Sequence, residues 1–389
     1  MIDFSDCHIN GRTYNGANGS KIGITYNNTN YLLKFSPKPK SNAELSYTNS
    51  CFSEDISCKI LKTFDLNSQD TMLGTYSDKI VVACKDFVEK GHRFADFASL
   101  KNTIIDSENN GYGTELSEIL YTIDEQKTYD INENKIKEFF WDMFIADSLL
   151  GNFDRHNGNW GFLVEDENSR NAKIAPIYDC GSCLYPQVDV NLAKSILTNK
   201  EELEKRVYVF PTFAIKIDNV KINPYNFLTQ TDNKDCLKSL KKITERIDLK
   251  KINGIIDDTP IMADIQKDFL KTMIKARKEL ILEVALVKNR DKNIPMPSLL
   301  FKNPNKESQV NSQENQLPQD EQKRRQEQHE KEMETISSKL DSMHENLQKD
   351  LAELNNQSLC KQMLAELEAD KDSNENSHDS KNNARIIRH

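Results

Sequence analysis

The chain has 389 residues, of which 37% are hydrophobic and 29% charged, and its net charge is −9, from 61 acidic against 52 basic side chains. That length holds two or three domain-sized units around a soluble core, and the acidic balance excludes a general nucleic-acid binder, which needs a basic face. No segment nears the ~20 consecutive apolar residues of a membrane span, and Met1-Ile2-Asp3-Phe4 has no cationic end leading into an apolar run, so neither a span nor a secretory signal peptide is expected.

Taken in chain order, residues 1–88 read as a strand-rich lobe. Gly11, Gly16, Gly19 and Gly23 crowd its start. Lys21–Tyr26 and Tyr31–Phe35 flank the polar run Asn27-Asn28-Thr29-Asn30, which predicts a hairpin. Ser53 to Thr63 predicts a helix with Ile56, Ile60 and Leu61 on one face, and Ile80–Cys84 is a short apolar strand leading into Lys85-Asp86-Phe87. From 89 to 290 the helical period takes over. Ile136, Phe139, Phe140, Met143, Phe144 and Leu150 keep the three-four spacing of a buried helix face. Two short strands, Trp160–Val164 and Lys173–Tyr178, follow, then helices at 234–246 and 262–287. Pro295, Pro297, Pro304 and Pro318 mark a linker over 291–318. Residues 319–369 favour helix, with Met333, Ile336, Leu340, Met343 and Leu347 in heptad spacing and a stutter before Leu351 and Leu354. That stretch is an amphipathic or coiled-coil helix and the expected route of any self-association. Residues 370–389 read as disordered.

Eight cysteines lie scattered at 7, 51, 58, 84, 180, 183, 236 and 360. A disulfide scaffold would be shorter and denser, so reduced thiols in a cytosol are expected. Cys180-Gly181-Ser182-Cys183 has the spacing of a redox pair or half a zinc site. No second C-x-x-C completes it, and it reads as a turn.

The segment Leu149 to Leu163 carries the strongest chemical signal. Asp154 and Asn159 lie five apart on what reads as a loop between helix and strand, and Ala175-Pro176-Ile177-Tyr178 then runs into Asp179-Cys180-Gly181-Ser182. A lone Asp or Asn in a loop is usually a turn-maker or cap. Three in this order, on these contexts, form the layout of a phosphoryl-transfer site. One carboxylate accepts the proton of the attacking hydroxyl, and an amide and a second carboxylate hold magnesium. Asp154 is the candidate base, and Asn159 and Asp179 are the candidate metal ligands, hard oxygens that suit Mg²⁺. His156 either meets the transferring phosphate or holds the loop in shape, and Arg155 is read as structural support. Lys34, on an apolar strand, is costly to bury unless something anionic meets it; ATP phosphates and a helix carboxylate would. Glu54 is its expected partner and Glu44 the competing one. Gly16, Ala17, Asn18, Gly19, Ser20 and Lys21 form the candidate phosphate loop, whose backbone N–H groups can face phosphate oxygens. Lys85, Asp86 and Phe87 are placed as the adenine-contacting hinge by position alone.

Asn152-Phe153-Asp154-Arg155-His156-x-x-Asn159 together with Pro176-Ile177-Tyr178-Asp179-x-Gly181-Ser182 resembles the HipA-like serine/threonine kinases. The likeness also runs through Gly16–Gly19, Val82–Phe87, Asp179–Gln187 and Asn223–Thr231, and covers roughly residues 1–290. It implies an α+β, bilobal protein-kinase-like fold followed by a helical, partly disordered tail. It also implies ATP with Mg²⁺, a protein substrate with a Ser or Thr acceptor, Asp154 as base and Lys34 on phosphates. Members often phosphorylate themselves, and Thr13 and Ser20 are the hydroxyls here placed for that role. The resemblance raises translocation into another cell beside the cytosolic placement, with no export signal legible. The chain starts at the small lobe, without the extra N-terminal segment through which HipA toxins make dimer and antitoxin contacts. Two rivals remain: a phosphoinositide-type lipid kinase and a catalytically silent kinase-fold binding module. Cys180 to Ala193 contains no Lys or Arg to read an anionic head group, which favours a protein substrate. The intact set Lys34, Asp154, Asn159 and Asp179 speaks against a silent module.

Overall fold

The computed structural model describes residues 1–12, 21–38, 47–105, 109–290 and 349. The residues Thr13, Gly16, Ala17, Asn18, Gly19, Ser20 and Glu44, the linker over 291–318, the tail over 370–389 and all but one residue of the helix expected over 319–369 lie outside the described residues.

The first part is a twisted sheet with one helix against it. After β1 (Ile2–Asp3) and β2 (His8–Ile9), β3 (Lys21–Tyr26) and β4 (Thr29–Phe35) form the expected hairpin. Its turn is shorter than the polar run suggested. Asn27 and Asn28 alone make it, both left-handed with φ 48° and 58°, the geometry whose twist matches the flanking strands. Helix α1 (Ser50–Thr63) starts three residues before the expected Ser53. Strands β5 (Thr71–Tyr76) and β6 (Lys79–Lys85) form a second such hairpin through Ser77 and Asp78. The sheet order is β1-β5-β6-β4-β3-β2, with β1 parallel to β5 and the other pairs antiparallel.

Side chains alternate across this sheet as the period of two requires. Leu33, Val81 and Ala83 pack with Phe4 and Ile24 on the outer face. Leu32, Val82 and Cys84 face the other way, into the core that includes Cys51, Ile56, Ile60 and Leu61 of α1. Lys34 shares the face of Leu32, which aims it at α1. Gly74 is needed for a close approach: a Cβ there would sit 2.3 Å from the Phe4 ring.

The second part is helical with a sheet of its own, which corrects the reading of 89–290 as helix with two short strands. Strand β7 (His92–Asp96) leads into α2 (Phe97–Ile104), α3 (Leu116–Glu125) and α4 (Glu133–Leu150). Strands β8 (Gly161–Glu165) and β9 (Ala172–Ile174) join β7 in an antiparallel sheet of order β7-β8-β9. The strand expected over Lys173–Tyr178 therefore ends early, and Ile177 makes an isolated bridge to Ser68 instead. Ile136, Phe140, Met143, Phe144 and Leu150 of α4 are buried, and Phe139 is half-buried. Trp160 stacks on Phe97 with centroids 4.0 Å apart.

The remaining chain gives α5 (Val190–Thr198), α6 (Lys200–Glu204), a π-helical turn over Lys205–Val209, and the small hairpin β10 (Lys216–Ile217) and β11 (Val220–Lys221). Helices α7 (Pro224–Gln230), α8 (Lys234–Arg246, as expected) and α9 (Leu249–Asp257) follow. The single helix expected at 262–287 is α10 (Asp264–Arg277), a π-helical stretch over Lys278–Glu283 and α11 (Val284–Arg290). No described helix is long and apolar enough to cross a membrane.

Candidate active site

The loop that carries Asp154 is fixed where α4 ends. Gly151 caps that helix in the left-handed region, φ 68°, and its N–H donates to the Asp147 carbonyl. Asn152, fully buried, donates through Nδ2 to Asp147 Oδ1 at 3.0 Å and accepts the Asp154 N–H on Oδ1 at 3.1 Å. Asn159 Nδ2 donates to the Asp154 carbonyl at 2.8 Å. The amide nitrogen is thereby engaged inside the loop, and its Oδ1 is the group left for a cation. His156 accepts the Gly158 N–H on Nδ1 at 3.0 Å and lies edge-on to Tyr112. Of its two expected roles, that contact serves loop-holding.

Arg155 is buried and is the mooring of the site. Its Nε donates to Asp147 Oδ2 at 2.9 Å, and one terminal nitrogen donates to Asp147 Oδ1 at 3.3 Å and the Cys180 sulfur at 3.5 Å. The other terminal nitrogen donates to the Asn159 carbonyl at 3.0 Å and to the Tyr178 carbonyl. One guanidinium thus ties the helix end, the Asp154 loop and the approach to Asp179 together. Burial pushes the Asp147 carboxyl up, and Arg155 opposes it.

Asp179 sits on a left-handed residue, φ 56°. Lys34 Nζ donates to Asp179 Oδ1 and to Glu54 Oε2, each at 2.9 Å. Glu54 accepts the Cys180 N–H on its other oxygen at 3.0 Å. So α1, the sheet and the Asp179 turn share one charge cluster. Gly181 allows it, since a Cβ there would lie 3.2 Å from Glu54 Oε2.

The electrostatics divide the carboxylates. Lys34 holds the Asp179 carboxyl down at about 2, against burial. Burial pushes Glu54 up despite the pull of Lys34. Burial alone would lower Lys34; Asp179 and Glu54 outweigh it and hold the ammonium well above its usual range. Asp154 is raised by burial, with His156 opposing and Asp179 adding to the rise. One carboxylate is thus firmly anionic, and a neighbouring one binds a proton more readily.

Lys34, Glu54, Asp154, Asn159 and Asp179 are brought together. The Lys85-Asp86-Phe87 segment is connected less directly. Lys85 turns its ammonium to Asp70 at 3.4 Å, and its carbonyl accepts Gln69 Nε2 at 2.9 Å. Asp86 donates its N–H to the Asn30 carbonyl at 2.9 Å and pairs with Arg12. Phe87 reaches the site through Tyr178, ring centroids 5.5 Å apart. An open cavity of about 860 Å³ lined by Lys62, Asp70, Lys85, Glu89 and Lys173 adjoins this segment and includes none of the five site residues. Lys21 pairs in register with Lys34, and its charge reaches Asp179.

Sequence reasoning missed Asp147, Asn152, Tyr178 and the Cys180 amide. Tyr178 donates its hydroxyl to the Gly158 carbonyl at 2.5 Å, closing the loop from the far side. An acidic residue eight before Arg155 and on the inner face of a buried helix was the available signal for Asp147. The Cys180–Cys183 segment is a turn, as expected, with Cys183 N–H on the Cys180 carbonyl at 3.0 Å. Spacing could not show the third thiol: Cys58 comes from α1, and its sulfur, the Cys180 sulfur and a Glu54 oxygen lie within 4.8 Å of one another.

Comparison with known proteins shows the family and the fold. The model of the HipA-like C-terminal domain matches residues 14–249. Serine/threonine-protein kinase CtkA of Helicobacter pylori strain J99 is 54% identical over 286 residues, covering 73% of this chain and 87% of that protein. The crystal structure of a Helicobacter pylori proinflammatory kinase CtkA superposes with a TM-score of 0.69 at 52% identity, covering 75% of this chain and 99% of that one. HipA of Shewanella oneidensis MR-1, solved with HipB and operator DNA, gives a TM-score of 0.47 at 15% identity over 74% of this chain and 69% of that one, a likeness too distant to bear on partners. The α+β, kinase-like fold is shared with the CtkA structure, and the chain belongs to the HipA-like family of serine/threonine protein kinases.

Proposed function

We propose that this protein is an ATP- and magnesium-dependent serine/threonine protein kinase that also phosphorylates itself. The observation that carries the reading is Lys34, whose ammonium bridges Glu54 and Asp179 at 2.9 Å each, in the site that also holds the Asp154–Asn159 loop. An ion pair to a carboxylate that is 39% exposed adds little stability, so a lysine placed between Glu54 and Asp179 fits a role at a ligand better than one in the core.

The donor set fits the ion. Asp179 offers a carboxylate kept ionised, and Asn159 offers a neutral oxygen because its amide nitrogen is tied to Asp154. Hard oxygens with room for water and phosphate suit Mg²⁺. When bound, Mg-ATP supplies the γ-phosphoryl group and neutralises the charge that develops on it. The chain supplies position and a proton acceptor. Lys34, held by Glu54, would meet the phosphates. The Asp154 carboxylate accepts the proton of a Ser or Thr hydroxyl as that oxygen bonds to phosphorus and the bond to ADP breaks. Arg155 and Tyr178 keep the loop from shifting, which matters because misplacement of about 1 Å costs ~10²-fold. Thr13 and Ser20 remain the expected sites of self-modification.

Intact-mass and phosphosite mass spectrometry after incubation with Mg-ATP tests the reading. Phosphate on Ser or Thr of the wild type, absent from Asp154→Ala and Asp179→Ala, is the expected result. ATP bound without turnover, with no phosphate on protein or added substrate, would leave a silent binding module.

A further inference from the structure

Exposed apolar side chains gather in one stretch of the chain, and one of them reaches the residue before Asp154. Four of the ten exposed large hydrophobic side chains among the described residues fall between 209 and 220: Val209 at 63%, Phe210 at 37%, Ile217 at 41% and Val220 at 70%. Single exposed apolar residues are ordinary, and clusters mark binding surfaces. Phe210 is the member of this group that adjoins the loop carrying Asp154. The ring of Phe153, the residue before Asp154, lies 6.0 Å from that of Phe210 and 5.7 Å from that of Tyr47. Tyr47 enters from the start of α1, so the three rings form a ledge with walls from both lobes.

Phe210 and the neighbouring β10–β11 hairpin are each tied to the fold by hydrogen bonds. Phe210 N–H donates to the Lys205 carbonyl at 2.9 Å. The tip of the β10–β11 hairpin is clamped by Glu115, whose carboxylate accepts the Asp218 N–H at 2.6 Å and the Asn219 N–H at 3.2 Å. Its base is tied by Lys216 N–H to the Thr114 carbonyl at 2.9 Å. Lys221, exposed at the end of that hairpin, lies near enough for its charge to act on Asp154, where it opposes, with His156, the upward push of burial.

We propose that this ledge selects the acceptor: the substrate segment crosses Tyr47, Phe153 and Phe210 with a bulky apolar side chain beside its Ser or Thr, and carries an acidic residue toward Lys221. The inference rests on the kinase reading of the same site. An apolar side chain seated on Phe210 and Val209 positions the hydroxyl over Asp154, and Lys221 sets the polarity of the flanking residue. Rigid aromatic walls supply contact area at little entropic cost.

A synthetic peptide library with Ser or Thr fixed at the centre and all flanking positions randomised, incubated with the full chain and Mg-ATP, tests this. Sites read by mass spectrometry should favour Phe, Leu, Ile or Val over Gly at one flanking position by roughly tenfold, the scale of apolar pocket discrimination. Acidic residues should be enriched at another. Phe210→Ala should flatten the apolar preference, and Val209→Asp, at a more exposed position, should do the same if the first variant folds poorly. Lys221→Glu should exchange the acidic preference for a basic one. Flat selection by the wild type, selection unaltered by the variants, or ATP turnover with no peptide phosphorylated would each overturn the proposal. Loss of all ATP turnover in the wild type would instead defeat the kinase reading beneath it.

Discussion

Arg155–Asp147 and Lys34–Glu54–Asp179 are both charge clusters at the same loop, and they differ in what solvent can reach. The first has side chains 3% and 3% exposed, and all five guanidinium N–H groups have acceptors. Nothing can enter it without breaking it. The second has Glu54 at 1% and Lys34 at 15%, but Asp179 at 39%. It is sealed toward α1 and open toward solvent, so a ligand can take a place between its members. Burial, more than the number of charges, separates the two clusters.

The contrast is sharpest in stability. Arg155→Ala should destabilise the fold by about 3–5 kcal/mol, the usual result of leaving a buried charge without its partner. Denaturant melts would show it, and an Asp147→Leu change added to Arg155→Met should recover only part, because the Asn159 and Tyr178 carbonyls stay unpaired. An unchanged melting midpoint would mean that the cluster is not a fixture. Next in size, Asp154→Asn should lower kcat by about 10²–10⁴-fold, the span of general-base contributions, while Mg-ATP still raises Tm. Lys34→Met should lower kcat by about 10²–10³-fold, as losing one positioned charge does. Its melting midpoint should fall less than that of Arg155→Ala, because Asp179 is partly solvated and Glu54, already raised by burial, can take up a proton once Lys34 is gone; a loss as large as that of Arg155→Ala would erase the distinction.

Two smaller effects depend on pH. Asp154 must be ionised to accept a proton, and its folded value lies above 3.8, so kcat/KM should rise with pH through that raised value. Asp179, held at about 2, stays ionised throughout that limb. An acid limb that persists unchanged in Asp154→Glu would assign it elsewhere. For stability, the folded value of Asp179 is depressed below 3.8. Its contribution is therefore full above that value and is lost as pH falls toward about 2. The Tm difference between wild type and Asp179→Asn should shrink over that window, and modestly, since the group is partly solvated.

The sequence shows the open cluster better than the sealed one. Asp154, Asn159 and Asp179 lie on loops, where residue type and spacing carry the chemistry, and Lys34 stands out as a charge on an apolar strand. Asp147 does not stand out. It is one acidic residue in an eighteen-residue helix, and its worth depends on Arg155 folding back onto it. The fold divides likewise. The α4 face and α8 follow from helical period, whereas β5 escaped notice because Thr71-Met72-Leu73-Gly74-Thr75-Tyr76 alternates weakly and carries a glycine at its centre. That glycine answers to Phe4, a residue far away in sequence. The acceptor ledge was illegible for the same reason, being assembled from residues 47, 153 and 210.

The notch at Gly74 also sets an order of events during synthesis. Phe4 leaves the ribosome well before the strand that receives it, and at about 5–20 residues per second the interval between residues 4 and 74 is roughly 4–14 s. From their own synthesis until residues 81 and 83 follow, Ile24 and Leu33 lack β6, and Phe4 has no strand to hold it over them until β5 arrives. The β3–β4 hairpin, with its two-residue asparagine turn, can form at once and wait. The nascent lobe thus passes through a stage with one apolar face exposed, the period in which a chaperone would find it.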